Sequence, residues 1–284
     1  MRINHNISAM VGQTSLATQN KSLSKSLEKL STGLRINRSA DDAAGLSISE
    51  SMRADIRGNT RGKANDEDGI ALLQIAEGAT SEINNILQRM RELSIQSASD
   101  TMGTTERSYT NKEFGQLMSE ITRISGSASY NGMTLLDGAA GSFGVSGGAS
   151  SVLHIGSGSG AATDRVSITV NAMTLGALGL SATTTAVSTS ATALASLSLI
   201  DTAIKSVNTM RADMGAYVNR LEFAISSTAN QIFNAQDAES RIRDVDFAKE
   251  TTEFTRAQIL TQSATSMLSQ ANQVPQGVLA LLGR

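Results

Sequence analysis

The stretch LLQIAEGATSEINNILQRMRELSIQS, from Leu72 to Ser97, decides the fold because its apolar side chains recur at the spacing of a long helix. One row, seven residues apart, contains Leu72, Ala79, Ile86 and Leu93, and the other contains Ala76, Ile83, Met90 and Ser97. Seven of these eight residues are apolar, against 40% in the whole chain. Heptad rows of this kind are typical of a helix that packs on another helix along a narrow seam. We therefore predict one helix over about 66–98.

A second pair of heptad rows lies nearer the other end of the chain. The rows are Leu197, Ile204, Arg211, Val218, Ile225, Ile232 and Ile200, Val207, Met214, Leu221, Thr228, Ala235. They predict a helix of about forty residues, and Phe114, Leu117, Ile121, Ile124 and Ala128 predict a shorter one. The predicted fold is mainly α, a long antiparallel helical coiled-coil bundle. Arg211 interrupts the apolar row, and it either pairs with a carboxylate across the seam or fixes the register.

The composition agrees with long helices and excludes several classes of protein. The chain has one proline, Pro275, and proline is the residue that breaks helix interiors. No cysteine is present, so disulfides and thiol chemistry are excluded. The net charge of −2 argues against nucleic acid as a partner. No apolar run is long enough to span a membrane, and Met1–Asn6 lacks the apolar core of a cleavable signal peptide.

The segments between the helices predict caps, a loop and a small β insert. Ser39 to Asp42 fits a capping box before the apolar residues that follow, and Arg57 to Gly62 suggests a loop. Val152–Ile155 and Val166–Val170 alternate as two strands, with Gly156 to Gly160 as the turn between them. The order is therefore helices, a β-hairpin insert, then helices.

The two chain ends carry apolar stripes that are only one or two residues wide. Leu16, Leu23 and Leu30 form such a row near the start, and Phe254, Thr261 and Leu268 form one near the end. Isolated helices with so little apolar face are marginal in water. We expect the terminal helices to pair in an inner coiled coil, and to remain largely disordered until copies of the protein meet.

No constellation of residues predicts catalysis. His5 and His154 are the only histidines, so a His-rich metal site is excluded. The residue count leaves a Ser-His-Asp triad open, but no Gly-x-Ser-x-Gly elbow lies between a strand and a helix. Carboxylates such as Asp41, Asp42 and Asp66 more simply oppose helix dipoles or face solvent. We predict a protein that is not an enzyme and has no catalytic, cofactor or metal site.

Five motifs together resemble bacterial flagellin. They are LSTGLRINRSADDAAGLSIS (30–49), ILQRMRELSIQSA (86–98), YNG (130–132), ESRIRDVD (239–246) and QANQVPQGVLALLGR (270–284). The resemblance covers about 1–180 and 195–284 in the correct order. It implies a subunit that polymerises head-to-tail into the flagellar filament for swimming. A hook–filament junction protein, or an exported coiled-coil adhesin or effector, is the alternative.

The resemblance also implies a division of the chain and a set of contacts. Residues 1–42 would be an inner-core helix that is disordered in the monomer, and 43–180 the bundle helices with the β insert. Residues 181–240 would be the C-terminal bundle helix, and 241–284 the second inner-core helix. The residues expected to drive self-assembly are Leu16, Leu23, Leu27, Leu30, Leu34, Phe254, Leu268, Leu279, Leu281 and Leu282.

The partners implied by the resemblance are numerous. Besides itself, the chain would meet the flagellar export apparatus, a secretion chaperone, and the filament cap and hook-junction proteins, and it would end up secreted and extracellular. In animal hosts it would meet Toll-like receptor 5. The receptor-binding residues would be Gln88, Arg89, Leu93 and Glu113, with Met90 and Ser94 as mild departures from the family's motif.

Overall fold

The computed structural model describes residues 6–138, 151–181 and 185–282, with side chains up to Gln273. The described residues form two compact units, one up to Ala54 and from Phe233 onward, the other from Asp55 to Ile232. The helices are α1 (Ile7–Thr32), α2 (Ala43–Ala98), α3 (Thr104–Ser127), α4 (Ser190–Arg243) and α5 (Phe247–Leu282). The strands are β1 (Ser129–Tyr130), β2 (Met133–Thr134), β3 (Ser151–His154) and β4 (Arg165–Ile168). The predicted mainly α fold with a β-hairpin insert is confirmed.

In the second unit, α2 and α4 run antiparallel. Arg91 Nε lies 2.7 Å from Asp201 Oδ1, and Arg211 Nη2 lies 3.7 Å from Glu77 Oε1. The second contact shows that Arg211 pairs with a carboxylate across the seam, which is one of the two roles expected for it. Helix α3 and the insert close the core, whose largest fully buried side chains include Phe114, Leu73, Ile83, Leu87, Met90, Ile121, Leu135, Leu136 and Ile168.

Two residues of one predicted row of α2, Leu72 and Leu93, are buried, but the two residues between them lie beside the buried seam. Ala79 and Ile86 of that row are only half-buried. A further row, one position along the helix, consists of Leu73, Thr80, Leu87 and Ser94, and each of these is completely buried. The hydroxyls of Thr80 and Ser94 donate to carbonyls one turn back, at 2.7 and 2.9 Å, which satisfies them without a partner in another helix. A count of apolar residues misses this row because two of its members are polar.

The loop predicted at Arg57–Gly62 is wrong, because α2 continues through it without a break. A Cβ at Gly58 would lie 2.6 Å from Ser157 Cβ, and one at Gly62 would collide with the Ile155 carbonyl oxygen. The glycines therefore allow close packing of the segment after β3 and do not mark a turn.

The capping box predicted at Ser39 is also wrong, because Asp42 caps α2 by accepting from the Gly45 amide at 2.9 Å.

The two small sheets are antiparallel hairpins. In the predicted pair, Ser151 lies opposite Ile168 and His154 opposite Arg165, and Val166 and Ile168 point into the core. The pair β1–β2 was not predicted. Its two-residue turn is Asn131–Gly132, with φ of 49° and 78°, the left-handed values that a tight hairpin turn requires.

In the first unit, the terminal helices α1 and α5 pack antiparallel, which confirms the predicted pairing. Asn6 Nδ2 donates to the Ala271 carbonyl at 2.8 Å at one end, and Lys29 Nζ lies 3.4 Å from Glu250 Oε2 near the other. Gly33 ends α1 at φ 73°. The following segment then pairs with the segment between α4 and α5, through the isolated bridge between Leu34 and Asp244.

Candidate assembly surface

The terminal helices leave most of their apolar side chains uncovered in a single chain. Among the described side chains of α1 only Ser26 is buried, while Met10 and Val11 are 57% and 60% exposed. In the described part of α5 only Ala257 is buried, and Ile259 and Met267 are 63% and 66% exposed. Exposed apolar side chains gathered along two paired helices indicate an interface that another molecule covers.

An apolar groove of about 380 Å³ runs between the two helices near the start of α1. Val11, Gly12, Leu260, Ala264 and Met267 are among the residues that line it. The helices approach closely at Gly12, where an added Cβ would lie 3.3 Å from Leu268 Cδ1. The groove is thus lined by small residues, such as Gly12 and Ala264, together with longer apolar side chains, such as Val11 and Met267.

The residues predicted for self-assembly fall into three groups. Leu16, Leu23, Leu30, Leu34, Phe254 and Leu268 are half-buried within the first unit. Leu27 is 53% exposed. Leu279, Leu281 and Leu282 lie in α5, but their side chains are outside the described residues.

Sequence reasoning missed the most exposed members of the surface. Met10, Val11, Ile259 and Met267 do not belong to the heptad rows, because a row identifies the residues that face the nearest partner helix. Apolar residues beside such a row were the available signal. A helix that packs on one partner within the chain needs a single stripe, so additional apolar positions indicate a second contact.

Ion pairs in this unit link α1 to the segment that follows it and the end of α4 to the start of α2. Lys25 Nζ lies 2.7 Å from Asp41 Oδ1, and this hydrogen bond holds the pKa of the Asp41 carboxyl below its usual value. Arg243 Nη1 lies 2.7 Å from Glu50 Oε1, and it lowers the pKa of Glu50 in the same way, with help from Arg53. A polar cleft of about 620 Å³ lies beside Lys25, Lys29 and Glu250.

The motif that resembles a receptor site lies in the second unit, on α2 and α3. Gln88 is exposed, and Arg89 Nε donates to Glu113 Oε1 at 3.0 Å while its Nη1 donates to Glu92 Oε2 at 3.0 Å. The Glu113 contact is the main cause of a raised pKa at Arg89. Leu93 is only 2% exposed, so its side chain belongs to the core of this unit.

The described residues offer neither a metal-binding cluster nor a membrane-spanning helix. Within the described part of the chain, no group of three or more histidine or acidic side chains could hold a metal ion. None of the described helices is both long and apolar enough to cross a membrane. Asp246 caps α5 by accepting from the Ala248 amide at 3.0 Å, so this carboxylate has a structural role.

Paired terminal helices with an uncovered apolar face are the feature expected of a structural protein that assembles with copies of itself. Two family profiles match the chain. The bacterial flagellin N-terminal helical region matches residues 3–140, and the bacterial flagellin C-terminal helical region matches residues 197–282. The chain belongs to the bacterial flagellins, whose copies form the flagellar filament.

Relatives that match over nearly the whole chain are also flagellins or flagellar filament proteins. The flagellar filament 33 kDa core protein of Treponema phagedenis is 43% identical over 99% of this chain and 100% of its own length. The flagellins of Halalkalibacterium halodurans and Bacillus subtilis are 43% and 42% identical, with the same coverage. Among solved structures, Bacillus cereus flagellin is 30% identical, with a TM-score of 0.49 over 58% of this chain and 88% of that chain.

Proposed function

We propose that copies of this chain polymerise through the exposed apolar face of α1 and α5, and that this contact forms the inner wall of the filament. The observation that supports the proposal most is the exposure of Val11 and Met267. These two residues line one groove, and they are 60% and 66% exposed. Covering such side chains releases about 25 cal/mol per Å² of apolar surface. The half-buried leucines of the same helices would hold the pair together while neighbouring copies cover its outer face.

The test replaces the exposed side chains without disturbing the pair. We expect Val11→Ser combined with Met267→Ser to abolish filament formation by concentrated purified protein, as seen by sedimentation and electron microscopy. Phe223→Ser is the matched control, because it removes an apolar side chain that is 78% exposed on α4, in the other unit. Filaments of normal length from the double variant, or equal loss in the control, would contradict the assigned surface.

The proposal includes the last residues of the chain. Leu279, Leu281 and Leu282 would extend the same apolar contact, so removal of residues 278–284 is expected to abolish polymerisation. Polymerisation by the truncated chain at the normal critical concentration would show that these leucines are dispensable.

The division of the chain into segments at about residues 42, 180 and 240 belongs to the same proposal. Residues 1–42 and 241–284 would become ordered when the subunit is incorporated into the filament.

The export route and the delivery partners of the subunit are proposed from family membership alone. The flagellar export apparatus and a secretion chaperone would deliver the chain, and the filament cap and hook-junction proteins would meet it outside the cell. An extracellular filament follows from this route. Cell fractionation of a flagellated strain tests it, since sheared filaments should contain the chain and a strain without export should retain it.

We also propose that Toll-like receptor 5 recognises this chain. Gln88, Arg89 and Glu113 present adjacent polar groups on α2 and α3, and the 3.0 Å contact between Arg89 and Glu113 holds the two helices in a defined relation. Leu93 would contribute from beneath, because its buried side chain supports the turn that carries Arg89.

A receptor reporter assay with purified monomer tests this site. Arg89→Ala is expected to weaken activation about tenfold, which corresponds to roughly 1.4 kcal/mol of binding. Arg91→Ala is the control, because Arg91 lies on the same helix but pairs with Asp201 at 2.7 Å. Full activity of a combined Arg89→Ala, Leu93→Ala variant that melts normally would exclude the site.

A further inference from the structure

One carboxylate in the second unit is buried without a partner. Asp66 of α2 has no exposed surface, and neither of its side-chain oxygens has a hydrogen-bond partner among the described residues. Buried polar groups in folded proteins are nearly always hydrogen-bonded, and a buried charge is costly unless it is paired. The assembly surface makes no use of this residue, so its position needs a separate explanation.

The face of α2 that carries Asp66 packs on two other elements. One turn before it, Gly62 allows the Ile155 carbonyl to approach the helix, and one turn after it, Gly69 allows Leu153 to do the same. A Cβ at Gly69 would also lie 3.4 Å from Leu221 Cδ1 of α4. Asn65 Nδ2 donates to the His154 carbonyl at 2.8 Å, which fixes the end of β3 on the helix. Asp66 therefore lies where the end of β3 and α4 meet α2.

The charged groups around this face do not compensate Asp66. Glu67 is a like charge beside it on α2, and it pairs with Lys63 at 3.8 Å. On the other two elements and beside them, the nearest titratable or charged side chains by sequence position are those of His154, Asp164, Arg165, Arg220 and Glu222. Asp164 is half-buried and accepts from the Gly160 amide at 2.8 Å, and the other four are exposed. Burial and, as the smaller cause, the like charge of Glu67 together raise the pKa of Asp66 to about 6.

We propose that Asp66 acts as a proton-operated latch: the end of β3 packs closely on α2 while the Asp66 carboxyl is neutral, and this packing loosens when the carboxyl ionises. An ionised Asp66 needs water, and water reaches it most simply where the β3 end separates from the glycine face. The latch would make the second unit most rigid in mildly acidic surroundings. This role goes beyond filament formation and does not depend on it.

The sign of the pH effect follows from the direction of the shift. The folded-state pKa lies above the ordinary value of 3.8. The stabilisation is therefore complete below about pH 4 and is lost as the pH rises through about 6. Carboxylates with lowered pKa values, such as Asp41 and Glu120, act in the opposite direction and only in more acidic solution.

Thermal unfolding of the monomeric full chain between pH 4.5 and 8 tests the latch. Relative to Asp66→Asn, the native unfolding midpoint is expected to fall by roughly 5 °C or more across this range. Glu82→Gln is the matched control, since Glu82 is an exposed carboxylate on the same helix, and its curve should parallel the native one. Parallel curves for native protein and Asp66→Asn would overturn the proposal.

Hydrogen exchange locates the effect. At pH 7.5 the amide of Ile155, which donates to the Asp164 carbonyl at 2.8 Å, should exchange faster in native protein than in Asp66→Asn, whereas at pH 5 the rates should agree. Equal rates at pH 7.5 would overturn the latch even if the midpoints differ. If Asp66→Asn fails to fold, a carbon-13 titration of Asp66 in the native chain decides, and an apparent pKa below about 4.5 would overturn the proposal.

Discussion

Single residues determine how closely the elements of the second unit approach α2. Polar members of its core face, such as Thr80 and Ser94, turn their hydroxyls onto carbonyls of their own helix. Glycines on the neighbouring face remove side chains altogether, so that the backbone after β3 comes into contact with the helix. The small hydroxyl residues and the glycines therefore let neighbouring elements approach α2, where larger side chains would keep them apart.

Two glycines of α2 should respond oppositely to the same substitution. Gly62→Ala is expected to destabilise the chain by about 1–3 kcal/mol, because the new methyl group collides with the Ile155 carbonyl oxygen. Gly78→Ala is expected to stabilise it by about 0.4–1 kcal/mol, because no atom lies within 4 Å of the new methyl group and alanine favours the helix. Urea unfolding of the two monomeric variants measures both effects. The same sign for both changes would contradict the packing of Ile155 on Gly62.

The role of a glycine could not be predicted from its neighbours in the sequence. Arg57 to Gly62 contains two glycines and suggests a loop, yet the backbone that packs on them lies more than ninety residues further on, at Ile155 to Ser157. The interruption at Arg211 was easier to interpret. A charged residue within an apolar row requires a partner or a fixed register, and Glu77 supplies the partner.

Among the elements, the long helices were predictable and the short hairpin was not. Heptad rows extend over four or more turns, so the existence and direction of a helix can be predicted even when one of its buried rows is missed. The pair β1–β2 has two residues in each strand, and no alternation can be seen over such a length. Its visible signal was the Asn-Gly dipeptide, which is typical of a two-residue hairpin turn.

The turn at Asn131 gives a test of this element. Asn131→Val is expected to destabilise the second unit by about 1–2 kcal/mol, because a β-branched side chain is strained at a φ of 49°. Asn131→Gly is the control and should change the stability by only a few tenths of a kcal/mol. Thermal melts of the monomer compare the two. An equal loss in both variants would show that the asparagine side chain, and not the backbone conformation, stabilises the turn.

At the scale of the whole molecule, each compact unit contains segments that are distant in the sequence. The first unit joins residues up to Ala54 with residues from Phe233 onward, and the second is formed by the chain between them. The pairing of the ends was predictable because neither terminal stripe is wide enough for an independent helix. Which of its apolar residues face outward was not, since a heptad row defines only one partner.

Hydrogen exchange of the full chain, as monomer and as filament, tests whether the ends fold on assembly. Only Ser26 and Ala257 are buried among the described side chains of α1 and α5, whereas residues 72–97 of α2 line a continuous core. Local opening is easiest where few apolar contacts are buried. Amides of α1 and α5 should therefore exchange rapidly in the monomer and gain at least roughly 100-fold protection in filaments, about 2.7 kcal/mol. Amides of residues 72–97 are the internal control and should be protected in both states. Strong protection of α1 and α5 in the monomer would mean that the pair is stable alone and that assembly only docks folded subunits.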